Sequence, residues 1–367
     1  MENVLVIGNG FDLAHNLPTT YNDFFFFMKN REGVFSKLKE YEAGKTIDEP
    51  WSRYFPNQRI ELDDDSVQRM LDKLDNNVWV HYFLNCGADI NGWIDFENEI
   101  KPALLFWSRV FDCNVSILPK DGGYKGRVEV NETWIGRQAR LWEPEFMDYV
   151  AKNDTKFDLS SKYVERQYGI VKESIIKKLQ DDWNSFIEAF SIYLIEFVEK
   201  RQPELLKQIS QLNPTTIISF NYTFSEKYYI SGQNTGCFHI HGVTEAKNIV
   251  MGIDDEEGIS DDFMFFKKYF QRLQKCTPIQ YKRLLESGNG EIGILSFYGH
   301  SLDITDTDII VPLINNSRLV QIFYYSDLDR DRKLINLLKQ FDKEVIENRI
   351  YHQTLLFVPI KGEKGVF

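Results

Sequence analysis

The stretch Val4-Leu5-Val6-Ile7-Gly8-Asn9-Gly10-Phe11-Asp12 decides the fold. Its first four residues are apolar and mostly β-branched, which reads as a strand buried on both faces. Gly8-Asn9-Gly10 breaks that strand, and Pro18-Thr19-Thr20-Tyr21 leads into a helix starting near Tyr21 or Asn22. A strand, a glycine turn and a helix open an α/β nucleotide-binding fold. Glycines there let backbone amides approach a phosphate, so Gly8, Asn9, Gly10, Phe11 and Asp12 are candidate binding residues. The dinucleotide fingerprint wants a third glycine where Leu13 stands, and a plain tight turn is the competing reading.

Outward from this start the pattern changes. Residues 30–210 are rich in helical periodicity: 65–85 reads as helix, and 163–201, with Trp183, Phe186, Ile187, Phe190, Tyr193, Leu194 and Phe197 at helical spacing, is the strongest helix of the chain. Asp121-Gly122-Gly123 between Val115–Leu118 and Val128–Val130 predicts a hairpin in an otherwise irregular excursion. From 214 strands return: Thr215–Phe220, Cys237–Ile240, a weaker Ile249–Gly252, Ile292–Phe297, Leu319–Tyr325 and Leu355–Ile360, with a helix over Leu328–Ile346. Strands alternating with helices call for a mostly parallel sheet. The expected architecture is a Rossmann-like α/β core from 1–30 and 210–367, with 31–209 as a mostly helical insertion.

Polar groups gather where such a sheet ends its strands. Asn221, in Phe220-Asn221-Tyr222-Thr223, can donate and accept through one amide; the competing role is a helix cap. His239-Ile240-His241-Gly242 places two imidazoles on one face of a strand, suited to general-base work or metal binding. A metal would need a third ligand such as Asp254 or His300. Gly299-His300-Ser301-Leu302-Asp303, followed by Thr305-Asp306, can hold ribose or phosphate, or simply cap a helix. Trp93-Ile94-Asp95-Phe96-Glu97 offers one more carboxylate.

Composition narrows the partners. Asp and Glu number 55 against 43 Lys and Arg, and a net charge of −12 disfavours nucleic acid and anionic membranes as partners. The four cysteines form no CxxC pair, so neither a cysteine-built zinc site nor a disulfide framework is expected. No signal peptide or spanning segment is read, which predicts a cytoplasmic protein with reduced thiols.

These motifs together resemble the AbiH bacteriophage abortive-infection family. The resemblance runs through Ile7 to His15 with Leu17-Pro18-Thr19 and Tyr21, then Ser219-Phe220-Asn221-Tyr222-Thr223 with Glu226, His239-Ile240-His241-Gly242, and Tyr298 to Asp303 with Asp306. Trp93, Asp95 and Glu97 match a weaker element, and 100–165 matches none. The family in turn resembles sirtuin-like NAD-consuming domains of phage defence. That second resemblance implies phosphate binding by Gly8 and Gly10, cleavage by Asn221 and His241, and ribose contact by Gly299 and Ser301 with Asp303 nearby. Asp12, Glu97, His239 and His15 rank lower. Thr223 stands where the sirtuin-like element carries an aspartate, and the paired-CxxC zinc ribbon of deacylating sirtuins is absent. The implied activity is hydrolysis of NAD to nicotinamide and ADP-ribose, with NAD as substrate, no required cofactor or metal, and release by oligomerisation, a partner or a phage component. A non-catalytic NAD or nucleotide sensor and a metal-dependent nuclease or phosphodiesterase stay as alternatives.

Overall fold

A computed structural model describes residues 2–56, 58–86, 96–121, 123–230, 235–253, 258–277, 280–285 and 292–360. The apolar run after Glu2 forms β1 (Glu2–Ile7). Val4 to Ile7 are all at most 2% exposed, as a central strand covered on both faces requires. Next come β2 (Val115–Lys120), β3 (Gly123–Glu129), β4 (Met147–Val150), β5 (Lys156–Leu159), β6 (Val164–Glu165) and β7 (Gly169–Ile170). The chain then supplies β8 (Thr216–Ser219), β9 (Gly236–His239), β10 (Ile292–Tyr298), β11 (Ser317–Tyr324) and β12 (Leu355–Pro359).

β1 and β8–β12 build one six-stranded sheet in the order β12-β11-β10-β1-β8-β9. Every pairing in it is parallel. From β1 the chain steps outward to β8 and β9, then returns to the other side of β1 for β10, β11 and β12. This is the strand order of the doubly wound dinucleotide-binding fold. Side-chain alternation divides the burial: Val4, Val6 and Ile218 face a core with Ile309, Leu313 and Leu337. Leu5, Ile7 and Ile217 face a smaller one with Phe11, Ile209 and Phe323.

The chain between β1 and β8 is mostly helical around a third, aromatic core. Thr20 caps the helix Tyr21–Lys29 reciprocally with Asp23, and Asp23 also takes Arg53 Nε at 2.5 Å. The expected hairpin exists as β2–β3, but it belongs to a four-stranded antiparallel sheet with β5 and β4 rather than an irregular excursion. The 65–85 periodicity is split into helices Asp64–Leu74 and Val78–Asn85, because Asn76 turns at φ +53° and Asn77 caps the second. The long helix covers Lys172–Tyr193 and runs on as a π-turn, Leu194–Glu199. Residues 164–170 instead make the β6–β7 hairpin, turned by Gly169 at φ +74°. Leu328–Ile346 is likewise two helices, Asp327–Gln340 and Lys343–Tyr351, separated by extended Phe341. Ile249–Gly252 joins no strand ladder: Val250 N donates to His241 O and Met251 N to the Gln271 side chain. Ile249, Met251, Phe263 and Phe266 pack into the aromatic core, so that core draws on chain beyond β9. No helix among the described residues is long and apolar enough to cross a membrane.

Candidate functional site

β1 and β10 are neighbours where the strand order reverses, the place at which open α/β sheets bind ligands. Two glycine turns meet there backbone to backbone. Gly8 N donates to Tyr298 O at 3.3 Å and Gly10 N to Gly299 O at 2.8 Å. Gly299 has φ +68°, and a Cβ on it would lie 2.1 Å from Phe11 N. These glycines are therefore demanded by their contact with each other, and the Gly10 amide is already engaged. Phe11 is fully buried against the Tyr229 and Tyr298 rings. Asn9 points outward, its Oδ1 accepting from Thr19 Oγ1 at 2.7 Å.

The short helix after this turn, Asn9–Ala14, carries Asp12 inward to 1% exposure. Thr223 Oγ1 donates to Asp12 Oδ2 at 2.6 Å and Ser225 Oγ to Oδ1 at 2.5 Å. Burial pushes the Asp12 carboxyl up to about 7; Ser225, Thr223 and Asn221 oppose that rise and Glu226 adds to it. Thr223 thus supplies a hydroxyl to a carboxyl from another strand end. Asn221 is 5% exposed, and its Nδ2 has no hydrogen-bond partner among the described residues. The loop that holds it is pinned from the helical side: Glu199, at the end of the π-turn, accepts from Phe224 N at 3.2 Å and Thr244 Oγ1 at 2.7 Å.

His241 and His300 come from the ends of β9 and β10 and flank the Phe220 ring, at centroid distances of 5.3 and 4.4 Å. Asp306 joins them, with Oδ1 3.5 Å from His241 Nε2 and Oδ2 3.6 Å from His300 Nε2. Leu302 N donates to His300 Nδ1 at 3.0 Å, which leaves the proton of a neutral ring on Nε2. Burial, against the pull of Asp306, takes His300 down to about 4. Burial also opposes ionisation of Asp306, but the His241 imidazole, then Lys268 and His300, hold its carboxyl well below the usual range. His241 Nε2 is buried and outside hydrogen-bond geometry with any described partner. The Asp306 carboxylate thus faces the same nitrogen of His241 from 3.5 Å, just beyond hydrogen-bond geometry.

A third group lies on β9 and the turn Ser225–Tyr229. His239 Nε2 is 2.8 Å from Glu226 Oε1, and Cys237 Sγ is 3.4 Å from the same oxygen and 3.5 Å from His239 Nε2. Glu226 is fully buried. Burial, then Glu226, raises the Cys237 thiol above its ordinary range, so it stays protonated and donates. Among the described residues these three side chains are the set of metal-ligating types close enough to share one ion.

The other sequence candidates have different surroundings. His15 Nδ1 donates to Phe11 O at 2.6 Å, its Nε2 lies 2.6 Å from Tyr229 Oη, and Leu206 N donates to that Oη at 2.7 Å. Ser301 is exposed, with its backbone oxygen accepting from Asn336 Nδ2 at 3.1 Å. Asp303 accepts from Thr305 N at 3.2 Å, the capping role that competed with ligand binding. Trp93, Asp95 and Asp254 lie outside the described residues, as does the Glu97 side chain. Sequence reading passed over Ser225, Glu199 and Cys237. Only Cys237 left a local signal, sitting two residues before His239 and hence on the same strand face.

The family described as bacteriophage abortive infection AbiH matches residues 4–325, a span that takes in every strand end of this site. No curated protein and no solved structure matches the chain. With nearly the whole chain matched, from the first glycine turn past the Asp306 cluster, the protein belongs to the AbiH family, whose role is abortive infection against bacteriophage.

Proposed function

We propose that this chain aborts infection by hydrolysing NAD at the nicotinamide–ribose bond. One observation carries the reading: among the described residues, Asn221 Nδ2 and His241 Nε2 are both buried without hydrogen-bond partners, at neighbouring strand ends of a sheet with dinucleotide-binding order. Unpaired buried polar atoms are costly, and a ligand that pairs them explains their retention.

The chemistry assigns each group a task. The C1′–N1 bond of NAD breaks, nicotinamide leaves with the bonding electrons, and a cationic ribose remains. Ionised Asp12 faces that charge. Asn221 orients a ribose hydroxyl or the incoming water. His241 takes the proton the water loses as it bonds to C1′, with Asp306 stabilising the imidazolium formed. Preorganised charge of this kind is the largest catalytic term in most enzymes. The activity is silent in uninfected cells and released by a phage component or by self-association.

The test follows NAD, nicotinamide and ADP-ribose by chromatography, with the purified chain and in infected cells expressing it. Infection should deplete NAD in cells carrying the wild-type chain. His241→Ala and Asn221→Ala should each reduce cleavage by ~100-fold or more while remaining folded. NAD levels that hold through infection, or cleavage that survives both substitutions, would overturn the reading. Saturable NAD binding under those conditions would instead make the chain a sensor.

A further inference from the structure

We propose that Glu226, Cys237 and His239 form a binding site for a zinc-class divalent metal ion. The proposal stands independently of the NAD reading. Cys237 and His239 lie two apart on β9, so thiol and imidazole share one face of the strand. Pairing of Ser219 with His239 brings the end of β8 alongside, and the turn Ser225–Tyr229 just beyond it carries Glu226 to the same place.

The separations fit an ion. Zinc bonds of ~2.0–2.3 Å put tetrahedral ligand atoms ~3.3–3.7 Å apart. Cys237 Sγ already lies 3.4 Å from Glu226 Oε1 and 3.5 Å from His239 Nε2. The remaining edge, His239 Nε2 to Glu226 Oε1, is 2.8 Å and needs only a small opening.

A second observation points to a ligand independently of these distances. Glu226 is 0% exposed, yet its Oε2 has no hydrogen-bond partner among the described residues. An orphaned carboxyl oxygen in a fully buried place is expensive, and an ion held by both carboxyl oxygens of Glu226 would satisfy Oε2 along with Oε1. The donors also select the metal: a thiolate with an imidazole and one carboxyl favours zinc over magnesium or calcium.

The surroundings prepare the imidazole. His239 Nδ1 faces Asn221 O at 3.5 Å, directing Nε2 towards the site, and the Phe224 ring stacks on the imidazole at 5.0 Å. Binding releases the Cys237 proton and gives three protein ligands, leaving a fourth position open. The ion would tie the turn that follows Asn221 to β9, the strand that leads into His241. A search for CxxC pairs misses this mixed set, which is why cysteine spacing predicts no metal.

The full-length chain, stripped with chelator, is titrated with Co²⁺ and then Zn²⁺. One equivalent of Co²⁺ should give thiolate-to-cobalt charge-transfer absorption, and Zn²⁺ should displace it. Cys237→Ser should abolish the band and Cys276→Ser should leave it. Glu226→Gln should weaken zinc binding by ~10-fold or more. A second measurement needs no variant: zinc should protect Cys237, and not Cys276, from alkylation read by mass spectrometry. Absence of the band, its persistence in Cys237→Ser, or alkylation of Cys237 at the same rate with and without zinc would each overturn the proposal.

Discussion

The parallel sheet and the helical region between its first two strands are packed with different side chains. Against the sheet the cores are largely Val, Ile and Leu. The helical region buries Trp79, Trp107, Trp142 and Trp183, with Trp79 in ring contact with both Trp142 and Trp183. Strands covered on both faces favour compact β-branched residues; helices crossing at varied angles leave gaps that large rings fill. The contrast also separates the candidate site from its support. The buried Asp12, His241, His300 and Asp306 all lie at the sheet's carboxyl edge. The helical region reaches that edge through Glu199, which grips two of its loops. The sheet thus presents the buried polar groups of the candidate site, and the helical region bonds two of its loops.

Four substitutions test this division, beginning with the one of largest effect. Gly299→Ala should cost about 4–5 kcal/mol or prevent folding, because the new Cβ would lie 2.1 Å from Phe11 N and 2.4 Å from Gly10 C at φ +68°. Urea denaturation reads it, and a near-normal midpoint would show that the two turns can separate. Trp79→Ala should cost on the order of 4 kcal/mol, from a large cavity and the loss of its 2.9 Å bond to Leu179 O. The surviving folded fraction should keep the proposed site activity, since the ring packs on Tyr82, Phe83, Trp142, Trp183 and Phe266, which belong to the aromatic core. Loss of activity per folded molecule would mean that the helical core tunes the chemistry directly.

The third test is pH dependence. His300 is held down to about 4 in the fold, from an ordinary 6.5. Above 6.5 both folded and unfolded chains carry it neutral, and it does not affect stability. As pH falls from 6.5 towards 4, the unfolded chain takes up a proton that the fold refuses, so roughly 3 kcal/mol is lost. His300→Asn keeps an acceptor for Leu302 N and should flatten that part of the curve. An unchanged slope in the variant would place the titration elsewhere.

Legibility followed the distance over which a feature is decided. Val4–Ile7, the glycine turn and the later strands were readable because period and turn chemistry are local. Asn221 and His241 were readable as strand-end residues. Asp12's partners were not: Thr223 and Ser225 lie 211 and 213 positions away, and no local pattern records that pairing. The capping of Asp303 was one of two roles its spacing allowed, and only packing chose. The split of the 65–85 helix turned on one residue, Asn76, whose positive φ a periodicity count passes over.

The smallest expected effect has the opposite sign. Asp12 is raised to about 7 in the fold from 3.8, so rising pH between those values removes stability, because the unfolded chain ionises freely while burial resists. Above 7 that loss is complete. Asp12→Asn removes the ionisation and still offers polar atoms to Thr223 and Ser225, though without charge-assisted bonds. The net effect should be a gain of about 1–2 kcal/mol at pH 8, shrinking towards pH 5. The proposed NAD cleavage should fall sharply in the same variant, because a neutral amide cannot face a cationic ribose as a carboxylate does. Gain of stability with loss of turnover is the pattern of a group kept for chemistry at the expense of the fold. If Asp12→Asn is destabilised at pH 8, the carboxylate is instead a structural anchor for the Thr223–Ser225 loop, and the sheet edge supports itself in the same way as the helical region.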